Sequence, residues 1–374
     1  MSFCSLNVYG GLEQKLENPD FVNEFQNNDI IFFSETWTNK YSKLNLKGFS
    51  EPICKHRRRR KKAKRDSGGL CVFVKKEIEK GIKCLNWDEF EDGLVIKLDK
   101  NLFGLEEDIF LVCVYIKPQR SSRNDINTDI ESFEKVTDKI AELSSLGQVI
   151  LMGDLNSRTS SLTDFPLDNE NETNFIMEDS DRKITSEDLL FNNLSFVRVN
   201  KDSCVNDNGR MLIRLSSMSS MLILNGRSGR DKNVGNFTYC ETKKDKLCKS
   251  TVDYVLCSKN MLYNICNFEI KDFNIFSDHA AICFNITCNF HIDDLSRYKS
   301  ENCRKIKWKE DLKEEFVNNL SDEKVELELQ EILDTLEKAS IINETLINDS
   351  VAALGNILRS AGKDHAYVKK LKER

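Results

Sequence analysis

The chain has 374 residues, 40% of them hydrophobic and 31% charged, with a net charge of −6 at pH 7. This balance suits a globular fold and argues against a wholly basic surface. No run of about 18 apolar residues occurs, so no transmembrane helix and no membrane partner are expected. The opening MSFCSLNVYGG lacks the basic start and apolar core of a secretory signal.

Ser2 to Val8 reads as a short strand whose exit carries Asn7, followed by the Gly10-Gly11 turn. Leu12 to Asn27 has helical spacing, restarted at Pro19 or Asp20. Asp29 to Trp37 contains four large apolar residues in a row, a strand buried on both faces, with Glu35 just past its end and Trp37 shielding that carboxylate from water. Lys55 to Arg65 then carries nine Lys/Arg in eleven residues. That run is a phosphate-binding patch, a nuclear import signal or a solvated loop without a partner.

Leu70 to Val74 is a third strand, and 93–98 with 109–116 form a meander around a hairpin loop at 99–108. The second of these ends at Tyr115 and is stopped by Pro118. Ile126 to Leu146 keeps a spacing of three and four over five turns, a helix closed by Gly147. The apolar run Val149 to Met152 follows and breaks at Gly153. In extended backbone Asp154, Asn156 and Arg158 then project to one side, where a buried strand meets solvent.

Residues 160–190 are polar and aperiodic, a surface loop. Ser186 to Phe191 and Met211 to Ser219 look like short helices, and Met221 to Asn225 and Gly235 to Tyr239 like short strands. Ser250 to Ser258 is a strand that places Asp253 in an apolar run, where an ionised carboxylate is costly unless partnered. Phe273 to His279 leads into a strand from Ala280 to Thr287, with Asp278 and His279 at its entrance. From about Asp293 the chain turns charged and helical, with amphipathic stretches at Trp308 to Phe316, Val325 to Ala339 and Asn343 to Leu358. The thirteen cysteines are odd in number and form no CxxC pair; most, such as Cys71, Cys113, Cys257 and Cys283, sit in apolar runs. They read as buried free thiols in a reducing compartment.

Polar residues at the ends of apolar strands are the unusual feature: Asn7, Glu35, Tyr115, Asp154, Asn156, Asp253, Asp278 and His279. Glu35, Asp278 and the Asn7 amide oxygen are the hard ligands that Mg²⁺ prefers, with Mn²⁺ a second choice. Asp154 and Asn156 suit orientation and deprotonation of a water. His279, one of four histidines, has Asp253 as the partner that fixes its tautomer and keeps it charged toward a phosphate.

In chain order the motifs LNVYGG, SETW, SGGL, YIKP, GDLNSR, NFTY, STVDYVL and SDHAAI resemble the endonuclease/exonuclease/phosphatase superfamily, closest to the endonuclease domain of jockey-like non-LTR retrotransposons. The likeness covers roughly residues 1–288. It implies an α/β (α+β) fold, a four-layered sandwich of two mainly antiparallel sheets flanked by helices, over a domain at 1–290, with 291–374 as a charged helical tail or linker. It implies a Mg²⁺-dependent enzyme that nicks double-stranded DNA and leaves a 3′-hydroxyl. Glu35 resembles the principal metal ligand, helped by Asn7 and Asp278. Asp154 resembles the water activator, oriented by Asn156, and Tyr115 and His279 the phosphate contacts, His279 being held by Asp253.

Thr238 and Ser277 match positions near the DNA or the site. Arg57, Arg58, Arg59, Arg60, Lys61 and Lys62 fall where related retroelement domains also carry basic residues, and are expected to grip duplex phosphates. Repair enzymes of the superfamily have an acid two residues after the asparagine, where this chain has Tyr9, which speaks against abasic-site repair. A reverse transcriptase region, absent from this chain, is the partner the retroelement likeness implies, and the nucleus the expected location. A phosphatase or lipid phosphodiesterase on the same fold, and a catalytically idle nucleic-acid-binding relic, are the competing readings.

Overall fold

The computed structural model describes residues 1–57, 66–118, 126–164, 194–195, 197–243, 245–289, 313–338 and 344–361. It divides into two compact units, Met1–Tyr298 and Lys299–Arg374. In the first, the strands are β1 (Ser2–Asn7), β2 (Ile30–Ser34), β3 (Ile53–Lys55), β4 (Leu70–Val74), β5 (Ile82–Leu85), β6 (Gly93–Leu98), β7 (Ile109–Tyr115) and β8 (Gln148–Asp154). Then come β9 (Met221–Ile223), β10 (Tyr239–Lys243), β11 (Lys246–Ser250), β12 (Asp253–Ser258), β13 (Ile265–Ile270) and β14 (Ile282–Ile286). Its helices among the described residues are α1 (Leu12–Lys15), α2 (Pro19–Phe25), α3 (Lys100–Phe103), α4 (Ile126–Ser144) and α5 (Asp207–Met218).

Two six-stranded sheets, ordered β13-β14-β1-β2-β4-β3 and β5-β6-β7-β8-β12-β9, form the middle of the unit. Pairing is antiparallel except for β1 with β2 and β7 with β8, the latter pair joined through α4. Alternation along each strand explains the uninterrupted apolar runs. Ile30 and Phe32 point into a core shared with Ile150 and Met152 of the other sheet, while Ile31 and Phe33 point outward to Phe21 and Phe25 of α2. Val149 and Leu151 face Phe133, Val136 and Ile140 of α4 and Leu212 of α5. Each central strand is thus covered on both faces, and the layers run helix, sheet, sheet, helix. This is the four-layered α/β sandwich expected from the sequence.

Several elements differ from the expectations. The supposed hairpin loop at 99–108 holds α3, because Asp99 caps it, accepting from Asn101 N at 2.9 Å and Leu102 N at 3.2 Å. Its Phe103 is buried against Gly81, where a Cβ would lie 2.5 Å from the ring. The expected strand from Ser250 to Ser258 is divided, since Ser250 ends β11 and β12 begins at Asp253. The stretch from Gly235 leads into β10, which pairs with β11 as a separate two-stranded ribbon. Gly153 does not break the key strand. It sits at φ +140 inside β8, where a Cβ would meet Val114 O at 2.0 Å, so glycine is what lets β7 approach. The helix expected at Ser186 to Phe191 lies outside the described residues.

Among the described residues, the second unit contains three helices that pack on one another, α6 (Lys313–Leu320), α7 (Glu323–Lys338) and α8 (Glu344–Ala361). Among the described residues no helix is long and apolar enough to cross a membrane. Twelve cysteines among them are free, and Cys4, Cys71, Cys113 and Cys257 are buried.

Candidate active site

Strand register gathers the polar strand ends. Parallel pairing of β7 and β8 sets Tyr115 beside Asp154, and antiparallel pairing of β8 and β12 sets Asp154 opposite Asp253. In the other sheet β1 pairs with β2 so that Asn7 lies beside Ser34, one residue before Glu35. Asp278 and His279 arrive on the segment entering β14, where Tyr239 and His279 form an isolated antiparallel bridge and Cys240 N donates to Asp278 O at 2.8 Å.

A chain of polar contacts links them. His279 Nδ1 lies 2.8 Å from Asp253 Oδ2, and its Nε2 is 4.0 Å from Asp154 Oδ2 and 3.9 Å from Asp278 Oδ1. Asn7 Nδ2 donates to Asp154 Oδ2 at 2.9 Å and to Glu35 Oε1 at 3.3 Å. Asp154 Oδ1 also accepts from Asn156 N at 2.9 Å, and Asn156 Nδ2 reaches both Ile116 O at 2.8 Å and Asp154 Oδ2 at 3.2 Å. Trp37 Nε1 donates to Glu35 Oε2 at 3.4 Å. Asn7, Tyr115, Asp154, Asp253 and His279 are buried, whereas Glu35, Asn156 and Asp278 are half-buried at the mouth.

The backbone here is strained. Tyr9, Glu35, Trp37 and Asn156 all adopt φ between 47° and 52°, the left-handed region that favours glycine. Each costs on the order of 1 kcal/mol, and such residues persist where surrounding structure forces them, typically at functional sites. The left-handed turn at Asn156 also ends the alternation expected after Asp154. Arg158 therefore leaves the site and forms a bidentate pair with the buried Asp202, at 2.8 and 2.6 Å.

The electrostatics are those of crowded carboxylates. Burial, then the Asp253 charge, pushes Asp154 up to about 8, against the opposing effect of His279. Burial likewise raises Asp278, with Glu35 and Asp253 contributing. For His279 burial opposes the charge, yet Asp253, Asp154 and Asp278 together push the imidazolium up to about 10. Burial raises the Tyr115 phenol well above its usual range, and the Glu35 and Asp154 charges and a hydrogen bond with Glu35 add to it.

Four carboxylates thus share one imidazolium, a donor set of hard oxygens with surplus negative charge that fits a divalent cation such as Mg²⁺. Asp154, Asp253 and His279 place one ligand atom each within 4.8 Å of one another. A protonated His279 tied to Asp253 is a poor ligand, so the half-buried Glu35 and Asp278 are the better holders. The Asn7 amide oxygen accepts from Tyr9 N at 2.9 Å, which leaves one lone pair of that oxygen open, and its amide nitrogen bridges Glu35 and Asp154.

Other nominated residues are placed elsewhere. Arg57 is not a free phosphate grip, because its Nε donates to Asp92 Oδ1 at 3.1 Å and its guanidinium lies 5.6 Å from the Tyr115 ring centroid. Arg58, Arg59, Arg60, Lys61 and Lys62 lie outside the described residues. Thr238 is fully buried, and its hydroxyl accepts the N–H groups of Val252 at 2.9 Å and Asp253 at 3.0 Å, so it positions Asp253 and has no surface for DNA. Ser277 donates to Asn7 O at 2.6 Å and accepts from His279 N at 3.0 Å, tying the first strand to the segment that carries His279.

Sequence reasoning missed Asn225, whose side chain accepts from Val255 N at 3.1 Å and donates to Asp253 O at 3.0 Å, extending the ladder beside β12. An asparagine closing the apolar run MLIL was the available signal. Tyr239, whose ring stands edge-on to His279 at 5.0 Å, was also missed.

Comparison with known proteins agrees with this architecture. The "Endonuclease/Exonuclease/phosphatase family" matches residues 4–279. Among solved structures, the catalytic domain of Xenopus laevis APE2 superposes with a TM-score of 0.52 at 14% identity, covering 77% of this chain and 92% of that one. The 3′ phosphatase NExo from Neisseria, bound to a product DNA hairpin, gives 0.50 at 11% identity, covering 77% and 99%. The endonuclease domain of TRAS1, a telomere-specific non-LTR retrotransposon, gives 0.46 at 15% identity, covering 76% and 97%. No curated protein sequence matches the chain. With its strand ends converging on one acidic mouth and its sequence matched from residue 4 to residue 279, this chain belongs to the endonuclease/exonuclease/phosphatase family of hydrolytic enzymes.

Proposed function

We propose that the protein is a divalent-metal-dependent endonuclease that hydrolyses one phosphodiester of duplex DNA in line, leaving a 3′-hydroxyl, as in target-site cleavage by a retroelement. The observation that carries the reading is the pairing of a buried base, Asp154, with a buried cation, His279, 4.0 Å apart and each held by its own partners. Asn7 and the Asn156 N–H orient the Asp154 carboxyl, which would ionise beside a bound divalent cation and then accept the proton of an attacking water. Asp253 anchors His279 through Nδ1, so that Nε2 is free to donate to a nonbridging phosphate oxygen. The protonated Tyr115 phenol, which donates to Glu35 here, would become a second donor toward the same anion once Glu35 is engaged by a metal ion. Glu35 and Asp278 would hold Mg²⁺ or Mn²⁺, whose charge offsets that building on the phosphate.

DNA as substrate is supported by the solved structure of NExo, a protein of the same fold bound to a DNA hairpin. The retroelement setting, with a reverse transcriptase region as partner and the nucleus as workplace, is supported by the order and wording of the eight motifs. NExo is itself a 3′ phosphatase, which favours that activity as a second reading. Supercoiled plasmid incubated with Mg²⁺ is expected to become nicked and to prime a polymerase, whereas a 3′-phosphorylated oligonucleotide is not dephosphorylated. Nicking that survives both Asp154→Asn and His279→Ala would overturn the residue assignment, and phosphate release without nicking would favour the phosphatase.

A further inference from the structure

Aromatic rings stand at both ends of the polar chain that runs from Glu35 through Asn7 and Asp154 to His279. At the Glu35 end Tyr9 is 55% exposed, and its ring centroid lies 5.5 Å from that of Trp37, the residue whose indole donates to Glu35. At the His279 end Tyr239 packs edge-on against the imidazole, and its hydroxyl is engaged by Glu241. Burial, then Glu241, then Asp278 and Tyr9 raise the Tyr239 phenol.

Tyr9 packs on Trp37 and leaves more than half of its surface exposed. A bulky residue at φ +50 is strained, and two glycines follow immediately, so the turn itself does not require a ring. Its backbone is fixed by the site through the N–H that donates to Asn7 Oδ1 at 2.9 Å. Beneath it Trp37 is wedged against Gly10, where a Cβ would fall 1.9 Å from the indole. The exposed ring is therefore presented on a rigid shelf at the edge of the acidic mouth, two residues from Asn7.

We propose that Tyr9, backed by Trp37, is a platform on which the nucleobase beside the cleaved phosphate stacks, with Tyr239 bordering the opposite end of the mouth. Tyr9 then acts as a specificity-determining residue that favours nucleotides carrying a base. The inference rests on the endonuclease reading above. Stacking of this kind tolerates any base, because every base offers a π-face, and removal of one ring costs roughly 5- to 150-fold in affinity or kcat/KM.

The test uses the full chain on a duplex whose cleavage position has been mapped, with the flanking nucleotide either intact or replaced by a tetrahydrofuran abasic unit. The abasic unit should lower kcat/KM of the parent by roughly 5- to 150-fold. Tyr9→Leu should lose a similar factor on intact DNA and show little additional loss on the abasic duplex, while Tyr9→Trp should keep the preference for the base. Losses that multiply instead would place the ring's contribution elsewhere and overturn the platform.

A binding arm separates this outcome from failure of the nuclease reading. With Mg²⁺, Asp154→Asn should quench 2-aminopurine at the flanking position, and the added Tyr9→Leu should abolish the quench while anisotropy shows the duplex bound. If the parent cleaves no DNA, the endonuclease reading fails, and this arm is then run on the parent. Bound duplex without a Tyr9-dependent quench overturns the platform by itself.

Discussion

At the scale of single residues, the site is governed by which acid owns which proton. Asp253 matters because it is both the hydrogen-bond partner of His279 and, with Asp154 and Asp278, the source of the negative field that outweighs burial. The folded-state pKa of His279 lies above its ordinary value of 6.5, at about 10. A raised pKa means that the pair's contribution to stability is fully present below about 6.5 and is lost progressively as pH rises through about 10. In EDTA, the His279 ring resonances should therefore stay in the imidazolium state through neutral pH and titrate near 10. Asp253→Asn should bring the midpoint down toward the ordinary range and reduce nicking by roughly 10²- to 10⁴-fold, the usual size of a proton-donor contribution. A ring that titrates near neutrality in the parent protein, or full activity in the Asp253→Asn variant, would remove the paired imidazolium from the mechanism.

At the scale of elements, local pattern foretold what local physics controls. Strands such as β2, β4, β7 and β8 were legible because burial on both faces forces continuous apolar runs such as IIFF and VILM. The edge strands β3 and β5 and the ribbon of β10 and β11 were not, since their half-exposed faces admit Lys, Glu and Thr. The site showed itself as polar residues at apolar strand ends, which register alone brings abreast. The pairings of Arg57 and Arg158 left no local signal, because the carboxylates that claim them, Asp92 and Asp202, are remote in sequence.

A further element-scale feature left no mark in the local pattern. Arg227, beyond the end of β9, is fully buried in a bidentate pair with Asp164, at 2.7 and 2.8 Å. Asp164 Oδ2 also accepts from Ile223 N at 2.9 Å, so the pair anchors β9 beside β12. Arg227→Met keeps most of the volume but leaves a buried carboxylate without its countercharge. It should destabilise by about 3–5 kcal/mol, read as a lower urea midpoint with an unchanged m-value. A loss below about 1 kcal/mol would be the size of an exposed pair and would refute the anchoring role.

At the scale of the whole molecule, folding and charge work against each other. The two sheets bring Glu35, Asp154, Asp253 and Asp278 together from positions more than two hundred residues apart, inside a chain that already carries a net charge of −6. Burial, with the neighbouring carboxylates adding to it, raises the pKa values of both Asp154 and Asp278. A divalent ion bound only by the folded chain reverses the effect, since binding adds RT ln(1 + [L]/Kd), about 2.7 kcal/mol at a hundred times Kd. For a unit of this size the rise in Tm is roughly 5 °C, and EDTA should restore the lower value. Glu35→Gln gives the decisive comparison. Gln can still accept from one of the two donors, Asn7 or Trp37, through its single carbonyl oxygen, and the bond lost at the other is offset by removal of one negative charge, so the metal-free variant should melt close to the metal-free parent. Its response to Mg²⁺ should shrink to a small fraction of the parent's. An equal Mg²⁺ shift in both proteins would mean that the ion is held elsewhere, and the acidic mouth would then need another explanation for the strain and repulsion built into it.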